Sequence, residues 1–172
     1  MTLIVNLYGG PGTGKSTTAA ATFAELKFQG VNCELVTEYA KDLVWGRTTV
    51  TLDNQLYLLG KQYHRLWRML DQVDVVVTDS PLLLFTYYGR KQSETFRQLV
   101  LETYQSMDNY NIFLKRVKEY NPAGRVQTED EAREIDFVLA DMLSQLDPGF
   151  DVVSANMSAA GIIAGRVISR LG

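Results

Sequence analysis

The chain has 172 residues, 46% hydrophobic and 22% charged, enough apolar material for one ordinary folded unit; a disordered or fibrous protein is excluded. Seventeen Lys and Arg against twenty Asp and Glu leave a formal charge of −3, so net charge supplies no pull toward nucleic acid or an anionic membrane. One Cys and one His exclude a disulfide framework and a Cys/His zinc site, and suit a reducing cytoplasm.

The first apolar run, Leu3 to Leu7, has no basic segment or cleavage site around it, so it reads as a strand and not a signal peptide. A glycine-rich turn follows, then a helix from about Lys15 to Phe28 closed by Gly30. Asn32 to Val36 reads as a second strand. Asp53 to Leu70 reads as a long helix, with Leu56, Leu59, Tyr63, Leu66 and Leu70 at helical spacing; Tyr63 and Trp67 are expected in the core. Val73 to Thr78, almost continuously β-branched, is the clearest buried strand.

A helix over Ser93 to Met107 and a short strand over Asn111 to Leu114 come next. Thr128 and Glu131 fit a capping box opening a helix to about Leu146, which Asp147-Pro148-Gly149 breaks. Asp151 to Val153 and a last helix over Ser158 to Leu171 complete the series. No apolar run approaches the ~20 residues of a membrane span. Five strands separated by helices predict an α/β three-layer sandwich with a five-stranded parallel sheet, a single domain over residues 1–172.

Gly9-Gly10-Pro11-Gly12-Thr13-Gly14-Lys15-Ser16 satisfies G-x-x-x-x-G-K-[ST], between a strand and a helix. Such a loop curls its N–H groups around a phosphate at a helix N-terminus. Gly9 to Thr17 are therefore the expected nucleotide-binding residues. Lys15 supplies a charge for the β and γ phosphates, and the Ser16 hydroxyl is placed to ligate Mg²⁺. No N-K-x-D tetrapeptide reads guanine and no L-S-G-G-Q signature is present. The stretch after the core is too short for the helical lid domain of a ring-forming motor. A small phosphotransferase using ATP and Mg²⁺, on a P-loop fold, is the expected class.

Over nearly its whole length the chain resembles the nucleoside and nucleotide kinase branch of the P-loop proteins. Glu38-Tyr39-Ala40-Lys41-Asp42-Leu43-Val44-Trp45 is similar to the acidic segment of nicotinamide riboside kinases and, more loosely, of deoxynucleoside kinases. That resemblance makes Glu38 a candidate general base. Thr78-Asp79-Ser80-Pro81 looks like the acidic-Arg-Ser segment of nucleoside and thymidylate kinases, with Ser80 where they have Arg. Asp79 is the second candidate base and a candidate Mg²⁺ residue; the choice between Glu38 and Asp79 stays open.

Lys115-Arg116 through Asn121-Pro122-Ala123-Gly124-Arg125 to Arg133 stands where small kinases carry a lid, here at about 116–128. Guanidinium groups on a closing loop stabilise the transferring phosphoryl group and exclude water. The candidates are Arg125, then Arg116, then Arg133.

The segments TEYAKDLVW, TDSPLLL and YNPAGR together look most like small P-loop proteins carried by bacteriophages, some of which are kinases for 5-hydroxymethyluracil in DNA. The host cytoplasm would then be the compartment. The expected acceptor is a hydroxyl or phosphate of a nucleoside, nucleotide or nucleobase, bound between Glu38, Asp79 and the helix bearing Gln55, Tyr57, Lys61, Gln62, His64, Arg65, Trp67 and Arg68. Tyr87 and Tyr88 stand where they either wall that pocket or pack.

Two other readings remain. One places the acceptor on a modified base in DNA, held by Lys61, Arg65, Arg68, Arg90 and Lys91. The other is a nucleotide-hydrolysing switch without a small acceptor. No membrane partner is expected, and a homodimer is possible.

Overall fold

The computed structural model describes residues 1–117 and 128–172. Its elements in chain order are β1 (Leu3–Tyr8), α1 (Lys15–Phe28), β2 (Cys33–Val36), α2 (Tyr39–Trp45), a 3₁₀ turn (Thr49–Asp53), α3 (Gln55–Trp67) and β3 (Val75–Thr78). Then follow α4 (Leu84–Tyr88), α5 (Glu94–Gln105), β4 (Asp108–Lys115), α6 (Glu129–Leu146), β5 (Asp151–Ser154) and α7 (Ala159–Leu171). The five strands form one all-parallel sheet in the order β2-β3-β1-β4-β5.

Strand alternation assigns the two faces. Leu3, Val5 and Leu7 pack with Val75, Val77, Ile112 and Leu114 under α1 and α7. Ile4 and Val76 face Leu58, Leu59, Leu66, Phe85, Phe96 and Val100 of α3, α4 and α5. Tyr8 lies under Leu139 and Leu143 of α6. With helices on both faces, β1 and β3 are buried at every position, which is why their sequences are apolar apart from Asn6 and Thr78.

One polar ladder crosses the second face. The Asn6 amide donates to Asn109 Oδ1 at 2.9 Å and Asn111 Oδ1 at 3.1 Å. Asn111 in turn donates to Asp147 Oδ2 at 2.8 Å, joining the end of α6 to β1 and β4. Burying these amides is tolerable because each is paired.

Two short helices differ from the sequence reading. Residues 39–45 form α2 although none of them is buried, so no apolar stripe announced it. Residues 84–88, to which the sequence reading assigned no element, form α4, with Leu84 and Phe85 buried in the core. The long helix expected from Asp53 to Leu70 begins instead at Gln55, because the Asn54 side chain accepts the Tyr57 N–H and caps it there. Trp67 is 55% exposed rather than core, since the buried face of α3 is set by Leu58, Leu59, Gln62 and Leu66; Tyr63 does pack inward. Leu56, also expected on the apolar stripe, is exposed in the first turn.

The strand order places the site. β1, β3 and their neighbours are parallel, so the segments leaving their C-terminal ends share one edge of the sheet. Across that edge stand Glu38 after β2, Asp79 after β3, the glycine turn after β1 and Arg116 after β4.

Candidate active site

The glycine turn is shaped by its own chain and by α6. Gly9 has φ +146°, and a Cβ there would lie 2.8 Å from Thr13 Oγ1. Thr13 Oγ1 donates to the Gly10 carbonyl at 2.9 Å, closing the turn. Gly14 starts α1 in the left-handed conformation without a side-chain cap, leaving the first amides of α1 to a ligand.

Gly10 is required for a different reason: a Cβ would lie 2.6 Å from the Ala132 carbonyl and 2.7 Å from Asp136 Oδ1, both on α6. We expect Gly10→Ala to push α6 away and cost about 1–3 kcal/mol. Urea unfolding measures this, and an unchanged midpoint would show that α6 yields freely.

Asp136 was not legible as a site residue. Its Oδ1 accepts the Gly10 N–H, and its Oδ2 accepts Arg116 Nε at 2.8 Å. Arg116 Nη2 donates to the Pro11 carbonyl at 2.9 Å. The Arg116 side chain is 6% exposed and that of Asp136 16%, so β4 and α6 together brace the rim of the glycine turn. The signal in the sequence was an acid at the spacing of the apolar stripe Ala132, Leu139 and Leu143. Asp136→Ala takes an acceptor from a buried guanidinium and from a backbone amide, and should cost about 3–5 kcal/mol. The same variant should bind ATP more weakly. Stability within 1 kcal/mol of wild type, by urea unfolding, would deny the brace.

Lys15 Nζ lies 2.6 Å from the Gly9 carbonyl and 3.1 Å from that of Gly10. Surrounding protein desolvates the ammonium and holds its pKa below the ordinary lysine value; Glu38, Asp79 and Asp136 oppose that shift and Arg116 adds to it. Glu38 is only partly exposed. Desolvation raises its pKa, Lys15 opposes the rise, Asp79 adds to it and Lys41 again opposes it. Glu38, Asp79, Asp136, Arg116 and Lys15 thus form one electrostatic cluster.

Asp79 is 4% exposed, and its Oδ1 accepts no hydrogen bond from any described residue. The Ser80 N–H donates to Thr78 Oγ1 at 3.1 Å, a local turn that sets Asp79 at the strand end. Ser80 itself is buried. Tyr88 is 45% exposed as a whole, but neighbouring protein crowds its phenol; that desolvation first, then the Glu38 carboxylate and Tyr87, push the phenol pKa up. The Tyr87 ring packs edge-on against that of Tyr88, 5.0 Å between centroids, and lies under the Arg90 guanidinium at 4.9 Å.

The donor set fits Mg²⁺. Ser16 opens α1 with an exposed side chain, and Asp79 adds one carboxylate oxygen. Among the described residues no group of three His, Cys, Asp or Glu could hold a metal, and Mg²⁺ at phosphates needs only one or two protein oxygens.

The remaining candidates are not gathered there. Arg133 pairs with Glu129 at 2.7 Å on the exposed side of α6, and Arg125 with most of the expected lid at 116–128 lies outside the described residues. Lys61, His64, Arg65 and Arg68 line a groove beside edge strand β2 with Thr37 and Tyr39, whereas Arg90 belongs to a different cavity. No described helix is long and apolar enough to cross a membrane.

A strand, a glycine turn closed on the Lys15–Ser16 pair, and a helix starting without a side-chain cap define a P-loop nucleotide-binding protein. The family model of the AAA domain, AAA_28, matches residues 4–159, and the chain belongs to that family. Among solved structures, a crystal structure of NadR protein in complex with NR is similar, with a TM-score of 0.70 at 17% identity. The likeness is one of fold; it covers 95% of this chain and 51% of that one, so the chain spans about half the length of that NadR chain. No curated protein matches.

Proposed function

We propose that the chain transfers the γ-phosphoryl group of ATP to a hydroxyl of a small nucleoside-like acceptor, with Mg²⁺. The observation that carries this is a partly buried carboxylate, Glu38, set within electrostatic reach of Lys15 and Asp79 on one sheet edge. A carboxylate held above its ordinary pKa at this place is suited to take the proton of an attacking acceptor hydroxyl.

In this reading Gly9 to Thr17 cradle the phosphates and Lys15 neutralises the β and γ oxygens. Ser16 and Asp79 would hold Mg²⁺, which would supply charge stabilisation for the phosphates. Glu38 takes the acceptor proton. Tyr88, beside Glu38, walls the acceptor pocket, and Arg116 stabilises the charge of the group in flight from the β4 side.

The test is incubation of the protein with γ-labelled ATP, Mg²⁺ and a panel of nucleosides and nucleotides, followed by separation of labelled products. Label on a panel member supports the reading. ATP consumption with no labelled acceptor favours the hydrolysing switch.

A second reading, with the acceptor hydroxyl on a modified base in DNA, has one observation behind it. The cationic groove of Lys61, His64, Arg65 and Arg68 includes Thr37, the residue before Glu38. It requires salt-sensitive retention of DNA, and loss of label transfer to DNA as salt rises.

A further inference from the structure

The place of the Glu38 carboxylate is decided by a side chain from another element. Glu38 enters α2 with an extended backbone, φ −65° and ψ 122°, and its carboxyl makes no capping hydrogen bond. The peptide groups on both sides of it are held by Gln62 of α3. Gln62 Oε1 accepts the Tyr39 N–H at 2.9 Å, and Nε2 donates to the Thr37 carbonyl at 3.4 Å. Gln62 is 1% exposed and sits on the apolar face of α3 with Leu58, Leu59 and Leu66.

A carboxamide in such a place costs free energy unless both ends are paired. Here both ends are spent on the backbone flanking one residue. Arg65, nearly one turn on, adds a second hydrogen bond to the Thr37 carbonyl at 3.2 Å. It also pairs with Asp42 of α2 and lies 5.0 Å over the Tyr39 ring. The groups facing Glu38 are Lys15 from α1, Asp79 after β3, Lys41 of α2 and Tyr88 of α4.

We propose that Gln62 is a positioning residue that aims the Glu38 carboxylate at Lys15 and Asp79 by fastening the Thr37 carbonyl and the Tyr39 amide. This rests on the reading of Glu38 as the base. Gln62 touches no reacting atom; it fixes the turn on which the base rides. Freed of it, the turn shifts, and a misplacement near 1 Å can lower a rate by about 100-fold.

Gln62→Met keeps the volume and removes both hydrogen bonds, while Gln62→Glu keeps the acceptor for Tyr39 and removes the donor to Thr37. For Gln62→Met we expect transfer kcat to fall about 10- to 100-fold, with the Kd for ATP and Mg²⁺ within about twofold. Gln62→Glu should lie between this variant and wild type. A readout free of any acceptor is the carboxyl-carbon NMR titration of Glu38. Its midpoint should drop toward that of an ordinary glutamate in Gln62→Met, as the carboxyl swings toward solvent.

Unchanged kcat and titration would overturn the proposal, as would equal losses in kcat and ATP affinity. Should Gln62→Met not fold, Arg65→Met at the fold's surface removes the other bond to Thr37. It should move kcat and the titration the same way by about threefold; no movement overturns the proposal. If Glu38→Gln itself leaves transfer intact, Glu38 is not the base, and the Glu38 titration still reports whether Gln62 places it.

Discussion

Lys15→Met is expected to reduce phosphoryl transfer by about 10²- to 10³-fold, the scale set by removing one preorganised charge donor. The ammonium lies against the Gly9 and Gly10 carbonyls at the mouth of the turn, among Glu38, Asp79, Asp136 and Arg116. Its effect on stability has the opposite sign. Because desolvation lowers the folded pKa of Lys15, the unfolded chain binds more protons between that value and the ordinary lysine value. At neutral pH the charged lysine therefore weighs against folding, and the penalty relaxes as pH rises through that window. The Met variant should melt at or above the wild-type temperature while losing ATP affinity by calorimetry and transfer by single-turnover assay. Transfer within tenfold of wild type would show that the cluster does not use this charge.

Glu38→Gln is expected to lower transfer kcat by about 10²- to 10⁴-fold, the contribution of a positioned general base. The carboxyl pKa is raised, so wild-type transfer should climb with pH to a plateau, with a midpoint above that of an ordinary glutamate. The Gln variant should lack that acidic limb. Linkage again separates function from stability. A raised folded pKa gives a contribution that is fully present below the unfolded glutamate value and lost as pH rises through the folded value. Above its folded pKa the ionised Glu38 thus costs stability, and there Glu38→Gln should be as stable as wild type or more so. Asp79→Asn decides between the two acids. If that variant loses the limb while Glu38→Gln keeps it, Asp79 is the base. Thermal melts and pH–rate profiles of the three proteins distinguish these outcomes.

Two roles stayed hidden, that of Asp136, never singled out, and that of Gln62, expected at the acceptor but bonded to the backbone around Glu38. Asp136 and Gln62 are polar groups standing at apolar spacings, on α6 and α3. Helical periodicity marks such a residue as facing inward, yet its partner is a backbone group brought up from elsewhere in the chain. For Asp136 that is the Gly10 amide, 126 positions away; for Gln62 it is the backbone around Glu38. Arg116 was legible as a cation after a strand, but its bonds to Asp136 and to Pro11, 105 positions away, were not. Trp67 failed the other way, since an aromatic at helical spacing does not reveal where the edge of the buried stripe falls.

By itself the amino-acid order determined the strand–turn–helix with its Lys15 and Ser16, the alternation of five strands with helices, and the Thr128–Glu131 cap. Those features rest on neighbours a few residues apart: periodic apolar positions, glycine at φ +146°, a hydroxyl three residues from its amide. Only the tertiary structure decided that β3 lies directly beside β1 and β2 outside it, so that Glu38, Asp79 and Lys15 share one sheet edge. Strand order is a matter of which faces bury against which helices, a competition among contacts distant in the chain. No local spacing encodes its outcome.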